Sequence, residues 1–200
     1  KTTYSFFTDS ALSQDNIFAA AESFPPQPGD VVINEINWSG SDLTGQTGQD
    51  DEWLELRNTT SNIVDLTGWK ISGAITGDGD LNILVGSIPA NGFFLISNFN
   101  ETTSRINIAP DLITTTLQLD NSNARYILKD NLGNTIDTAD DDLGNPPAGT
   151  NGPQKRSMER KTPPSDGTQD VNWQTATTHT NMDGSGSTDE FGTPKAPNGL

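Results

Sequence analysis

The sequence predicts an all-β fold, and three observations point to it. Apolar and polar residues alternate in Val31–Ile36 and again in Trp53–Leu56, the period-two pattern of a strand with one buried and one solvent-facing side. Turn-forming residues follow at Asn58–Asn62 and Leu66–Gly68. The chain also contains 19 Gly and 12 Pro and lacks Leu-rich or Ala-rich windows with helical spacing, so the composition argues against a helical fold.

Length and cysteine content limit the architecture further. The 200 residues suffice for one sandwich domain with a proper core and are too few for two comfortable ones. Because there is no Cys, packing, hydrogen bonds or hard cations must stabilise the fold in place of disulfides and thiolate metal sites. No apolar run approaches the ~20 residues that a membrane-spanning helix needs.

Several short motifs, in order along the chain, resemble those of the lamin tail domain family. They are Ile33–Ile36 (INEI), Asp51–Asn58 (DEWLELRN), Val64–Trp69 (VDLTGW), Ile88–Ile96 (IPANGFFLI), Thr135–Asp137, Arg156–Arg160, Asn172–Trp173 and Thr193–Asn198. The resemblance spans about Asp30 to Asn198 and implies an immunoglobulin-like β-sandwich. At Lys195 the family usually has Gly, and this difference bears only on the backbone geometry of the last turn.

The first 24 residues resemble a different group, the mature start of the camelysin and TasA families. This resemblance implies a segment that follows a signal-peptidase cut, an extracellular or cell-surface location, and, by analogy with the fibre-forming members, donation of the segment to a neighbouring subunit. An Ala-Ala pair stands where those families usually have Ala-Gly. The matching residues are Phe6–Asp9, Ser13, Asn16, Phe18 and Ala19–Ala20.

The N-terminal segment is also unusual on physical grounds, because its large apolar side chains lack the turn spacing of the downstream chain. We expect residues 1–24 to form an arm that packs into another subunit. Residues 25–29, a Pro-rich spacer, are predicted to be stiff and extended and to hold the arm off the domain at 30–198. Folding back onto the same domain and a disordered leader are the alternatives. The predicted interface residues are Tyr4, Phe6, Phe7, Ile17 and Phe18.

These features favour a non-enzymatic extracellular subunit of a homopolymeric surface filament, in which strand donation joins each copy to the next. The alternative is a monomeric surface adhesion module that binds glycan or calcium. An enzyme is the least favoured class, because His179 is the only His and neither Cys nor a G-x-S-x-G turn is present. We expect His179 to be an exposed loop residue.

The charge of the chain bears on its partners. Acidic residues outnumber basic ones 27 to 11, for a net charge of −16, which argues against nucleic acid and against anionic membrane surfaces. Calcium is the cofactor with some support, since oxygen-bearing side chains alternate around a Gly or cluster together. Solvated loops are the competing interpretation of both groups. The candidate ligands are Asp78, Asp80 and Asn82 in one group and Asp140 and Asp142 in the other.

Other polar and aromatic residues are predicted to be structural. Three of the four Trp residues lie in strand and turn motifs, so core packing explains them better than a carbohydrate-stacking platform does. Glu35 and Arg160 are charges inside strand-like motifs, and we expect each to be paired structurally, with the other as one candidate partner. The sequence is also compatible with an intramolecular Lys–Asn isopeptide bond. Lys70 and Lys129 are the candidate lysines for it.

Overall fold

A computed structural model of the chain describes residues 25–77, 79–152, 154–183 and 190–199. Across these residues the protein is nearly all β, with one four-residue helix, α1 (Gln46–Gln49), and one 3₁₀ turn at Asp170–Asn172. The strands are β1 Val31–Asn37, β2 Trp53–Asn58, β3 Val64–Asp65, β4 Trp69–Ile75, β5 Gly79–Ile83, β6 Ser87–Ile88, β7 Phe93–Ser97, β8 Leu112–Ile113, β9 Tyr126–Lys129, β10 Thr135–Ala139, β11 Thr150–Asn151, β12 Lys155–Arg156, β13 Met158–Arg160, β14 Trp173–Thr175 and β15 Glu190–Phe191.

Two sheets form the sandwich. One has six strands in the order β14-β13-β1-β2-β7-β8, and the other has four in the order β10-β9-β4-β5. Alternate residues of both sheets, among them Ile33, Leu56, Ile71 and Leu128, meet in a single apolar core. The all-β prediction and the immunoglobulin-like sandwich are therefore confirmed. Among the described residues, no helix is long and apolar enough to cross a membrane.

The predicted wet faces of the first two strands are not wet. Every residue of β1 is buried, and in β2 only Arg57 keeps partial exposure. The reason is that both strands lie in the middle of the six-stranded sheet and are covered on both sides. A second apolar cluster that includes Trp53 and Leu95 packs on the outer face, so the polar positions of the alternation face protein rather than water.

The tryptophan prediction is confirmed, because Trp53, Trp69 and Trp173 are all buried in apolar clusters. Trp38 is buried as well, and its Nε1 donates to the carbonyl oxygen of Ala148 at 3.0 Å. None of the four rings is available as an exposed stacking platform.

Arg160 is paired structurally, as predicted, but its partner is Asp137 and not Glu35. The fully buried Arg160 guanidinium binds the Asp137 carboxylate on β10 and lies over the Trp173 ring, 4.6 Å from its centroid. The Arg160–Asp137 pair therefore joins the two sheets across the core. Glu35 lies on the outer face of the six-stranded sheet, where it accepts from Ser157 and Thr193.

The second half of the Pro-rich spacer turns back onto the sandwich. The Asp30 N–H donates to the Gln27 carbonyl at 3.0 Å, and Gly29, with φ of 90°, donates its N–H to Ile136 at 3.0 Å. The prediction of an extended spacer is wrong for this half. Pro28 and Gly29 occupy the central positions of a β-turn, where the fixed φ of Pro and a positive φ at Gly are both favoured.

Candidate functional site

The first group of predicted calcium ligands lies on the edge strand β5. Asp80 accepts from the Ser72 hydroxyl at 2.6 Å and pairs with Lys70 at 3.1 Å, so its carboxylate already has two partners. The Asn82 side chain donates to the Asp80 carbonyl oxygen at 3.1 Å. Asp78 lies outside the described residues. Lys70 also stands opposite Lys129 in the β4–β9 register.

The second group follows β10. Asp140 and Asp142 both have positive φ, 61° and 71°, and the Asp142 carboxylate lies 3.5 Å from the Arg125 guanidinium. Burial raises the pKa of Asp140 to about 6. In the described part of the chain, no three acidic or His side chains converge in a geometry that holds a metal ion. Calcium binding at either group stays a prediction.

Three glutamates stand side by side on the outer face of the six-stranded sheet. Glu35 of β1 is in register with Glu159 of β13 on one side and with Glu55 of β2 on the other. All three side chains are fully buried. Because directly opposite residues have Cβ atoms about 4.5–5.5 Å apart, the three carboxyl groups share a space closed to water. We call these residues the glutamate row.

Residues 193–199, the closing segment, cover the glutamate row. They include the Thr193–Asn198 motif of the sequence. The closing segment supplies donors to all three carboxyl groups and also bonds Asn198 to Asn34 of β1, at 2.8 Å. The donors are the backbone N–H groups of Thr193, Lys195 and Gly199 together with the Thr193 hydroxyl.

The glutamate row holds protons as well as hydrogen bonds. The Thr193 Oγ1 atom lies 2.9 Å from a Glu35 oxygen and 3.1 Å from a Glu159 oxygen, yet a hydroxyl has one proton to donate. Burial, and next the Glu159 charge, raise the pKa of Glu35 to about 8. Burial also raises the pKa of Glu55 well above its ordinary value. No described Lys, Arg or His forms an ion pair with the row.

These contacts make the glutamate row a structural clamp for the closing segment. Its donors include the backbone N–H groups of the closing segment and the hydroxyls of Ser157 and Thr193. Sequence reasoning missed the row, although each glutamate lies within one of the strand motifs. The signal available in advance was a Glu at a polar position of three separate strands, and only the register shows that the three positions are adjacent.

Lys195 has φ of 57°, so its position favours Gly, as the family comparison of this turn suggested. Its ammonium pairs with Asp111 at 2.8 Å. We expect Lys195→Gly to be more stable than Lys195→Ala by about 1 kcal/mol, because both variants lose the ion pair and only Ala keeps a Cβ in the left-handed region. Urea unfolding of the two variants measures the difference. An Ala variant that equals or exceeds the Gly variant would show that the positive φ causes no strain.

A cleft of about 790 Å³ opens where the end of β7, the end of β4 and the loop before β9 meet helix α1. We call it the amide cleft, since five amide side chains line it. Two buried polar residues, Glu52 and Asn98, form part of its wall. The lining residues are Gln46, Gln49, Asp50, Glu52, Ile75, Thr76, Asn98, Phe99 and Thr115–Asn121. No motif of the sequence predicted a cleft here, although Glu52 belongs to the Asp51–Asn58 motif.

His179 is exposed, as predicted, and its ring lies 5.9 Å from the ring of Phe191 in an edge-on contact. The predicted interface residues of the arm lie outside the described residues. They are Tyr4, Phe6, Phe7, Ile17 and Phe18.

Comparison with known families bears on the fold. A family model described as Lamin Tail Domain matches residues 25–141, more than half of the chain. The match covers β1 to β10, which include the whole four-stranded sheet and four of the six strands of the other sheet. That family is a non-enzymatic one with an immunoglobulin-like fold. No curated protein matches the chain. The resemblance of the first 24 residues to the camelysin and TasA families stays a prediction.

Proposed function

The chain belongs to the lamin tail domain family, and on that basis we propose that it is a non-enzymatic extracellular structural protein. It forms the subunit of a surface filament, and residues 1–24 of each copy add as a strand to the next copy. Its partners are other copies of itself, and neither nucleic acid nor membrane insertion is part of the function. The observation that carries the proposal from the described residues is the open edge at β5.

Strand β5 ends the four-stranded sheet and pairs, among the described residues, with β4 alone. Leu81 and Ile83 point into the core. Leu84 and Val85 follow directly and are 80% and 78% exposed. An open edge next to exposed apolar side chains is a ready template for an added strand, because backbone hydrogen bonds give affinity and apolar contacts give specificity.

The other sheet edges are less suited to receive a strand. The edge at β10 is partly occupied, because Gly29 of the same chain donates to Ile136. Strands β14 and β8, which end the six-stranded sheet, have only three and two residues. An arm given by each subunit to the β5 edge of the next makes a heterologous contact that does not close, and such contacts grow into an open filament.

Deletion of residues 1–24 is expected to leave a folded monomer, while the intact chain polymerises. The reason is that the deletion removes the donor strand and leaves every contact of the described sandwich in place. Negative-stain microscopy shows the filaments, and sedimentation velocity gives the size of the deleted form. Filaments of the deleted protein would contradict the donor role of the arm.

A second pair of variants tests the acceptor edge in the intact chain. Leu84→Lys places a charge beside β5 and is expected to abolish filaments, because edge lysines oppose strand addition. The matched control is Leu132→Lys, at a residue that is 79% exposed in the β9–β10 turn, and it should polymerise like the parent. Equal polymerisation of both variants would rule out the β5 edge as the acceptor.

The alternative function, a monomeric surface adhesion module that binds glycan or calcium, is favoured by one observation, the amide cleft. It predicts that the intact chain sediments as a monomer. Calorimetry with calcium, and thermal melting with and without a chelator, detect an ion that stabilises the fold. A monomer whose melting temperature the chelator lowers would support this function over the filament.

A further inference from the structure

We propose that the amide cleft binds a neutral saccharide, with Glu52 and Asn98 as buried hydrogen-bonding groups and Phe99 as the apolar contact. This site is separate from the glutamate row and from the β5 edge. It does not depend on whether the chain forms filaments.

Two acceptors in the wall of the cleft have no donor among the described residues, the buried Asn98 Oδ1 and Glu52 Oε1. Both N–H groups of the Asn98 amide are used, by the carbonyl oxygens of Asp50 at 2.7 Å and Leu117 at 2.9 Å. This fixes the orientation of the amide, and its Oδ1 atom has no donor in the described structure. A buried acceptor without a donor is costly. Because Asn98 Oδ1 exposes less than 1 Å², a ligand hydroxyl would gain this hydrogen bond by displacing part of the cleft wall.

Glu52 provides the second acceptor. Its Oε2 accepts from the Leu119 N–H at 2.8 Å, and no described residue donates to Oε1. Glu52 is only 7% exposed. Burial is the main cause that raises the pKa of Glu52 to about 8, so at neutral pH the carboxyl group is protonated and can both donate and accept a hydrogen bond.

The lining of the cleft disfavours both anionic ligands and metal ions. It contains no Lys, Arg or His among the described residues, so nothing compensates the charge of a phosphate or carboxylate ligand. The described acids do not converge on a metal-binding geometry either. Amide side chains such as Gln46, Gln49 and Gln118 each donate and accept, as the hydroxyl groups of a sugar do.

Phe99 and the size of the cleft complete the match. Phe99 is partly exposed in the cleft wall, where an aromatic face packs against the apolar C–H surface of a sugar ring. The volume of about 790 Å³ lies within the range of clefts that enclose small-molecule ligands. A short oligosaccharide therefore suits the cleft in size, polarity and charge.

The test uses the full chain and soluble neutral oligosaccharides of glucose, mannose, galactose and N-acetylglucosamine, measured by isothermal titration calorimetry. We expect at least one to bind. Phe99→Ala should weaken it about tenfold or more, and Gln49→Ala, at an exposed lining residue, should weaken it too. The matched control is Phe93→Ala, at the opposite end of β7 and outside the cleft, which should bind like the parent.

Several results would overturn the proposal. They are no binding of any neutral oligosaccharide, binding of sialylated or uronic-acid oligosaccharides only, and equal affinity of the parent and the Phe99→Ala and Gln49→Ala variants. Competition by calcium or by spermidine at the same residues would assign the cleft to a cation instead. Because the same titrations can be run on the chain that lacks residues 1–24, failure of the filament proposal and failure of the saccharide site are read separately.

Discussion

The Arg160→Met variant is expected to lose about 3–5 kcal/mol of unfolding free energy, the usual effect of removing one partner from a buried ion pair. Arg160 is fully buried, and the Asp137 side chain is 10% exposed. Met has a similar volume, so the main effect is an unpaired carboxylate between the two sheets. Its remaining contacts are then backbone hydrogen bonds with Ile33, whose N–H donates to it at 2.8 Å, and with Thr138.

The double variant Arg160→Met with Asp137→Asn separates charge from packing. Neither charge is then left in the core, and an amide oxygen at position 137 can still accept from Ile33. Its stability is expected to recover a large part of the loss, and the coupling energy follows from the double-mutant cycle. Urea unfolding followed by tryptophan fluorescence measures the unfolding free energy of all four proteins.

An exposed ion pair serves as the control for this cycle. Lys70 and Asp80 have side chains that are 36% and 38% exposed, so Lys70→Met is expected to change stability by no more than about 1 kcal/mol. A loss in Arg160→Met no larger than that in Lys70→Met would mean that the buried pair does not stabilise the sheet-to-sheet contact.

The unfolding free energy is expected to fall as the pH rises from about 5 to 9. Burial raises the pKa of Glu35, Glu52 and Glu190 to about 8 in the folded protein, against an ordinary value near 4.5. Between these two values the folded state keeps protons that the unfolded state has released, so each pH step upward favours unfolding. Above the folded-state pKa the loss is complete and amounts to several kcal/mol in order of magnitude.

The Glu35→Gln variant isolates the contribution of the glutamate row. A Gln side chain at position 35 carries no charge at any pH, so the slope of stability against pH between 6 and 9 should be flatter than in the parent. Asp65→Asn is the control, because the pKa of this exposed residue is lowered, by its hydrogen bonds with Thr67, and the group stays ionised throughout that range. Urea midpoints at intervals of pH measure the three slopes. A parent whose stability is constant or rises over this range would contradict the raised pKa of Glu35.

Local pattern was sufficient for the elements of the sandwich. The alternation of Val31–Ile36 and Trp53–Leu56 predicted β1 and β2, and Thr67–Gly68 marked the turn before β4, where Gly68 has φ of 80°. These features depend on residues close in sequence, because side-chain period and turn conformation are set by neighbouring residues. The burial of the tryptophans followed from the same motifs.

Local pattern was insufficient wherever two distant segments meet. It left open the partner of Arg160, because Asp137 reaches it only when β10 packs opposite β13, and it took β1 to have a wet face, because the closing segment that covers it lies some 160 residues away at Thr193. The hydrogen-bonding side chains of the amide cleft likewise come from separate parts of the chain.

The sequence by itself thus determined an all-β sandwich of the lamin tail domain type, without Cys and with a strong negative charge, since strand period, turn residues and composition are properties of the chain alone. Tertiary structure decided which carboxyl groups are neutral, which cation each acid meets and where the described surface opens into a cleft. The physical reason is that burial and electrostatic environment depend on strand register and on long-range packing, and a shift of one residue in register would move every one of these side chains to the other face.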